Sequence, residues 1–229
     1  MVLKMNKQIE TLINLFYSPT TSLSCLNEKG DGFYNQWNSN GQLIKKFLIK
    51  NGERHGECKI WNDNGILIES SNYKNGYIEG EVKDWDDNGK LMGFSNYKNG
   101  KPHGELKEWF PNGSLARTTF FKKGKKEGSV KTYNIDGSLS TDAYFKNDLL
   151  HGKFISYYNS MKNPSIISYY KNGKPHGIYK LYSQEVYLSL FNFYIKGKLI
   201  IPFALVKKIL KWYNKSLKKK ENECDQNEL

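Results

Sequence analysis

Hydrophobic and polar positions alternate along most of this chain in a pattern that returns every 24 residues. His55-Gly56-Glu57-Cys58-Lys59-Ile60-Trp61 is followed by Asn64-Gly65 and by a second run that ends at Tyr73. Equivalent glycines stand at Gly32, Gly56, Gly80, Gly104, Gly128 and Gly152, and at Gly177 after a slip of one residue. A fixed period of this length is typical of a repeat array, and seven units cover residues 25–198.

Each unit is predicted to form a β-hairpin. The first strand ends in an aromatic residue, at Trp37, Trp61, Trp85, Trp109, Tyr133, Tyr157 and Tyr182. Asn-Gly or Asp-Gly follows in the first five units, and these dipeptides favour tight turns because Asn, Asp and Gly reach positive φ at little cost. The second strand begins at Leu43, Leu67, Leu91, Leu115 or Leu139. We therefore predict an all-β fold of tandem antiparallel β-hairpins that form an elongated, twisted single-layer sheet, with short helices at both ends.

The turn geometry also predicts which side chains share a face. If Asp63-Asn64-Gly65 is a three-residue loop, Trp61 lies opposite Leu67. Tyr73 is then expected on the face of Trp61, because residues an even number apart share a side of a strand. The same counting places Val82 opposite Ile68. It predicts an aromatic-and-leucine row on one side and a thinner row on the other, made of Cys58, Val82, Leu106, Val130, Phe154 and Tyr179.

Residues 1–24 and 199–229 lie outside the repeats. The first segment has hydrophobic residues at helical spacing, and we expect an N-terminal helical cap. Residues 199–229 are predicted to form a basic amphipathic helix followed by a disordered tail. That helix either caps the last strand or binds an anionic membrane or a partner groove through Lys207, Lys208, Lys211, Trp212 and Lys215.

Composition narrows the classes of protein and of partner. Hydrophobic residues make up 38% of the chain and aromatic residues 14%, so aromatic side chains must supply much of the buried area. The net charge of +12 permits attraction to nucleic acid, anionic lipid or acidic protein without choosing among them. The three cysteines are scattered, and the N-terminus lacks the features of a signal peptide. A cytoplasmic protein is expected.

The phrase Tyr97-Lys98-Asn99-Gly100-Lys101-Pro102-His103-Gly104-Glu105-Leu106-Lys107-Glu108-Trp109, with Asn112-Gly113-Ser114-Leu115 after it, resembles the MORN repeat. It is most similar to the longer MORN variant of YwqK-type antitoxin proteins. The resemblance implies tandem antiparallel hairpins used in protein assembly and sometimes linked to membranes. Similar arrays are expanded in giant viruses that infect amoebae, for which the compartment would be the host cytoplasm.

The recurrent polar residues are better explained by structure than by catalysis. His55, His103, His151 and His176 are too far apart along the array to share one metal ion. Glu57, Glu81 and Glu105 each lie two residues from a lysine, which favours cross-strand ion pairing over acid–base catalysis. We expect no enzyme activity, no cofactor and no metal.

The predicted function is the presentation of an extended β surface to an unidentified protein, as a scaffold, adaptor or antitoxin-like neutraliser. Nucleic acid and small-molecule substrates are not expected, and a second copy of the chain could pair through a terminal strand or helix. The alternative is a peripheral membrane module that binds anionic lipid through the basic helix. The lysines have a simpler explanation as solvated side chains whose stems shield the aromatic residues. The candidate interaction residues are Trp61, Trp85, Trp109, Tyr133, Tyr157, Lys59, Lys83, Lys107 and Lys131.

Overall fold

The computed structural model describes residues 21–22, 27, 30–158, 163–184, 187–200 and 207–215. These residues form antiparallel strands and one short helix, α1, at residues 207–215. The chain divides into two compact units, Met1–Lys101 (unit 1) and Pro102–Leu229 (unit 2). The predicted all-β fold of tandem hairpins is confirmed in each unit.

In the described part of unit 1, every strand pairs antiparallel with the next one along the chain. The strands are β1 (Thr21–Ser22), β2 (Gly32–Trp37), β3 (Leu43–Lys50), β4 (Glu53–Trp61), β5 (Leu67–Lys74), β6 (Tyr77–Trp85) and β7 (Leu91–Lys98).

Unit 2 follows the same rule of pairing between successive strands. Its strands are β8 (Lys101–Trp109), β9 (Leu115–Lys122), β10 (Lys125–Tyr133), β11 (Leu139–Lys146), β12 (Leu149–Tyr157), β13 (Pro164–Lys171), β14 (Lys174–Tyr182), β15 (Leu188–Ile195) and β16 (Lys198–Leu199). The predicted aromatic strand ends and leucine strand starts are therefore confirmed.

The loop inside the second hairpin closes as predicted. The Asn62 amide donates to the Ile66 carbonyl at 2.9 Å, and the Gly65 amide donates to the Asn62 carbonyl at 2.9 Å. Gly65 has φ of 79°, and Trp61 pairs with Leu67. The Asn62 side chain also accepts a bond from the Ile66 amide at 3.0 Å, so that it holds the loop from inside.

A tighter turn joins one hairpin to the next. Asn75 and Gly76 have φ of 51° and 76°, the two positive values that a two-residue turn needs to match the twist of its strands. Asn147-Asp148 forms the same turn without glycine, at φ of 51° and 67°. The Asp148 carboxylate accepts a bond from the Lys126 amide at 2.8 Å, which ties this turn to the start of β10.

Two predictions of strand register were wrong. Ile60 pairs with Glu69 but Trp61 pairs with Leu67, so a bulge adds one residue, Ile68, to β5. That residue breaks the even count between Leu67 and Tyr73, and Tyr73 lies opposite Gly56 on the face of Cys58 instead of that of Trp61. Val82 likewise pairs with Ser71 and not with Ile68.

In each unit the most deeply buried side chains belong to the row that was predicted to be the thinner one, the row of Cys58 and Val130. In unit 1 it runs through Tyr34, Phe47, Cys58 and Ser71, and each of these residues pairs with the next one on the adjacent strand. Cys58 is 1% exposed and Ser71 0%. In unit 2 the buried members of the row are Thr119, Val130, Ala143 and Ser168. The small side chains of this row lie between larger ones on the adjacent strands, as Ala143 does between Val130 and Phe154.

The slip of one residue before Gly177 lies in the loop of the sixth hairpin. Six residues separate the paired residues Tyr157 and Pro164, against five between Trp61 and Leu67, so the extra residue of the sixth unit lies in its hairpin loop.

The predicted N-terminal helix lies outside the described residues, except that Thr21–Ser22 forms β1. Of the predicted C-terminal segment, 199–200 and 207–215 are described. No helix in the described parts of the chain is long and apolar enough to span a lipid bilayer.

Candidate interaction surfaces

The pairings define two faces in each unit. We call the face that carries the buried row the core face, and the opposite face, which carries Lys46, Lys59 and Trp61 in unit 1, the lysine face. In unit 2 the lysine face carries Lys107, Lys131 and their strand neighbours. All the predicted interaction residues lie on the lysine faces: Trp61, Trp85, Lys59 and Lys83 in unit 1, and Trp109, Tyr133, Tyr157, Lys107 and Lys131 in unit 2.

Ion pairs recur at equivalent positions on the lysine faces of the two units. Lys59 lies 2.9 Å from Glu57 and Lys83 lies 2.8 Å from Glu81, and in unit 2 Lys107 lies 2.9 Å from Glu105. These three pairs join residues of one strand, so the expectation of cross-strand pairing was wrong for them. Only 36–42% of these three lysine side chains is exposed, which leaves the ammonium groups in water and the stems packed. Exposed pairs of this kind contribute about 0–1 kcal/mol each.

A groove opens on the lysine face at the start of unit 1. Its volume is about 390 Å³, and its apolar lining comes from Phe33, Leu43, Leu48 and Trp61. Lys46 and the Lys59–Glu57 pair supply the polar part of the lining. The Lys46 ammonium lies 5.1 Å from the centroid of the Phe33 ring, and Phe33 is 49% exposed. The groove therefore offers an apolar surface next to positive charge.

Recurrent histidines lie beside the two-residue turns. His103 accepts a bond from the Lys123 amide at 3.4 Å, and His176 accepts one from the Lys196 amide at 3.4 Å. Glu79 does the same for the Asn99 amide at 2.7 Å. Histidine and glutamate thus serve at equivalent positions as acceptors for the two-residue turns. Among the described residues, no group of three or more His, Cys, Asp or Glu side chains could hold a metal ion.

The core face of unit 1 holds two neighbouring carboxylates and a buried thiol. Glu69 pairs with Asp84 across β5 and β6, and the Ser71 hydroxyl donates to Glu69 at 3.1 Å. Partial burial and, to a smaller extent, the Glu69 charge raise the pKa of Asp84. Burial raises the pKa of the Cys58 thiol, which the positive charges of Lys45 and Arg54 oppose. Cys58 is therefore a poor nucleophile as long as unit 1 is folded.

Helix α1 exposes a basic face of its own. Lys208, Lys211, Trp212 and Lys215 follow one another at helical spacing, and all four are exposed, Trp212 to 71%. Ile209 and Leu210, on another side, are partly buried. Lys207, also a predicted member of this surface, is exposed as well.

A set of exposed aromatic residues on the lysine face of unit 2 was not predicted from the sequence. Phe120 and Tyr144 are each 47% exposed and Tyr169 is 39% exposed. Their cross-strand partners are Glu105, Ser129 and Lys153, respectively. In unit 1 the positions of these three aromatic residues are occupied by Asn72 and Asn96, which pair with Glu57 and Glu81. The change from Asn to aromatic within an otherwise regular repeat is the signal that could have found them.

Comparison with known proteins bears on the hairpins themselves. No curated protein matches the chain. A family model described as a MORN repeat variant matches residues 54–75, 78–99 and 102–123. Each match spans one hairpin, from the first strand through the loop and second strand to the first residue of the following turn. Three consecutive hairpins of this chain are therefore similar to MORN repeats.

Proposed function

We propose that this chain is a non-enzymatic repeat protein that binds another protein through the lysine face of unit 1. The observation that carries the proposal is the groove of about 390 Å³ between Phe33, Leu48 and Trp61. An apolar side chain of a partner fits its lining, and a neighbouring carboxylate on the partner fits Lys46. Partly buried aromatic anchors of this kind carry much of the binding energy in protein interfaces.

The roles that we propose are those of a scaffold, an adaptor or an antitoxin-like neutraliser. The resemblance to YwqK-type proteins supports the last role, which requires a toxin as partner. The bonds from turn amides to His103, His176 and Glu79 support a structural role for the side chains that would otherwise suggest catalysis. The buried free thiol of Cys58 agrees with a reducing compartment such as the cytoplasm.

Two adjacent lysines provide a matched test of this proposal. Lys46 lies on the lysine face in the groove, whereas Lys45 lies on the core face, with its ammonium 5.9 Å from the Phe47 ring centroid. The full chain is used to capture and identify a protein from source lysate, and the purified protein is then titrated against each variant by calorimetry. Lys46→Glu should weaken binding at least about tenfold, a loss of about 1.4 kcal/mol, and Lys45→Glu should weaken it far less.

Equal losses in the two variants, or none in either, would contradict binding at the groove. Thermal unfolding of both variants shows whether each is folded before the titration is interpreted.

A second candidate function is the attachment of α1 to an anionic membrane. The observation that favours it is the exposed tryptophan among three lysines, since Trp and Lys are both favoured where protein meets lipid headgroups. Full-length protein should sediment with vesicles of phosphatidylserine and phosphatidylcholine but not with phosphatidylcholine alone. Replacement of Lys208, Lys211 and Lys215 by Gln should abolish sedimentation, and sedimentation that persists would exclude α1 as the anchor.

A further inference from the structure

The positive charge of this protein is concentrated in unit 2. Residues 102–229 contain 22 Lys and Arg against 11 Asp and Glu, whereas residues 1–101 contain 13 against 12. Unit 1 is therefore almost neutral, and unit 2 carries nearly the whole net charge of +12. Such an asymmetry between halves favours an anionic ligand for the basic half.

The lysines of unit 2 lose their acidic neighbours as the array proceeds. In unit 1 a glutamate stands two residues before each lysine of the repeat, as Glu57 does before Lys59 and Glu81 before Lys83. In unit 2 the corresponding residue before Lys131 is Ser129. Lys131 lies 4.0 Å from its nearest carboxylate partner, Asp142. In the described part of the chain, no ion pair involves Lys153 or Lys180. Lys153 and Lys180 therefore have their charge available for a ligand, and Lys131 is held only by this long ion pair.

Exposed aromatic residues alternate with these lysines from strand to strand. Phe120, Lys131, Tyr144, Lys153, Tyr169 and Lys180 come from β9 to β14 in order, and all lie on the lysine face of unit 2. Lys153 and Tyr169 are direct cross-strand partners. Successive aromatic residues are two strands, or about 10 Å, apart. We call these six residues the aromatic–lysine strip.

We propose that the aromatic–lysine strip of unit 2 binds single-stranded nucleic acid, a ligand that the sequence alone did not lead us to expect. The ligand must offer negative charge at repeated intervals together with flat apolar groups, and single strands combine phosphates with unstacked bases. Aromatic side chains on a sheet face provide stacking platforms for such bases, and lysines follow the backbone. An acidic polypeptide matches the lysines but has no need of three exposed rings, and a duplex keeps its bases stacked inside.

The aromatic half of the strip is tested with substitutions that the fold already contains. The triple variant Phe120→Asn, Tyr144→Asn and Tyr169→Asn places Asn where unit 1 has Asn72 and Asn96. Full-length protein is titrated into a fluorescein-labelled thymidine or uridine single strand, and fluorescence anisotropy is measured. We expect an affinity loss of at least about tenfold in the triple variant, since each stacked base contributes substantially. Tyr77→Asn, which removes an aromatic side chain that is 64% exposed in unit 1, should leave binding unchanged.

The charged half is tested independently, so that the proposal remains testable if the triple variant does not fold. Lys153→Glu introduces the residue that stands at the equivalent Glu57, Glu81 and Glu105, and should weaken binding. Three phosphate contacts predict that log K falls with log salt at a slope of about −2, so doubling the salt should weaken binding about fourfold.

Three results would overturn the proposal. The first is equal affinity for a duplex of the same length. The second is that polyglutamate competes as effectively, per charge, as the unlabelled single strand does. That result would identify an acidic polypeptide as the ligand. The third is binding that withstands both sets of strip variants but is lost when Lys208, Lys211 and Lys215 are replaced by Gln. None of these results bears on the groove of unit 1, so the protein-binding function proposed above stands or falls separately.

Discussion

At the scale of single residues, glycine is needed where a strand bulges. Tyr73 pairs with Ile78, and Ser71 pairs with Val82. Between these two pairs, β6 has three residues where β5 has only one. Gly80 is the middle one of the three and has φ of 90°. A Cβ on Gly80 would meet nothing within 4 Å, so the cost of a side chain there is conformational and not steric. Gly80→Ala should therefore lower the free energy of unfolding by about 1–2 kcal/mol in urea titrations.

Gly93 is the matched control for that prediction, because its φ is not in the left-handed region. A Cβ on Gly93 would lie 2.9 Å from the Asp84 carboxylate, which is the end of a flexible side chain that can rotate away. Gly93→Ala should change the free energy of unfolding by less than about 0.5 kcal/mol, since the lower chain entropy of Ala in the unfolded state offsets the contact. Similar losses for the two variants would refute a conformational requirement at Gly80.

At the scale of the strand, neighbouring residues belong to different environments. Ser71 is fully buried in the row between Cys58 and Val82, and Asn72 is exposed on the lysine face. Ser71→Leu should lower the free energy of unfolding by about 1–3 kcal/mol, because the larger side chain overpacks the row. Asn72→Leu should change it by less than about 0.5 kcal/mol. Urea unfolding of both variants checks the prediction, and the reverse order would mean that the two faces are assigned wrongly.

At the scale of the whole molecule, net charge governs the response to salt. The chain carries a net charge of +12, and like charges in a folded protein repel one another. Added salt screens that repulsion, so the thermal midpoint should rise between low and physiological ionic strength. Sodium chloride and potassium chloride should give equal midpoints at equal ionic strength, because screening depends on ionic strength and not on the identity of the cation. A midpoint that stays constant or falls over this range would contradict net repulsion as a destabilising factor.

The sequence by itself determined the strands and turns of this protein. Asn62 and Gly65 close a loop that local backbone preference specifies, and Trp61 therefore ends its strand opposite Leu67, as predicted. The positions of the candidate residues along the strands followed from the same 24-residue period. Such features rest on contacts between residues that are close in the chain, so they can be read from the repeat.

The tertiary structure alone decided which face each side chain occupies. Ile68 is an extra residue in β5, so Tyr73 lies on the opposite face from Trp61. The even number of positions from Leu67 to Tyr73 had predicted the same face. Burial of Ser71 and exposure of Phe120 likewise depend on the faces that paired strands create together. The groove at Phe33 and the aromatic–lysine strip both arise from this arrangement, because one inserted residue transfers a side chain from one face of a sheet to the other.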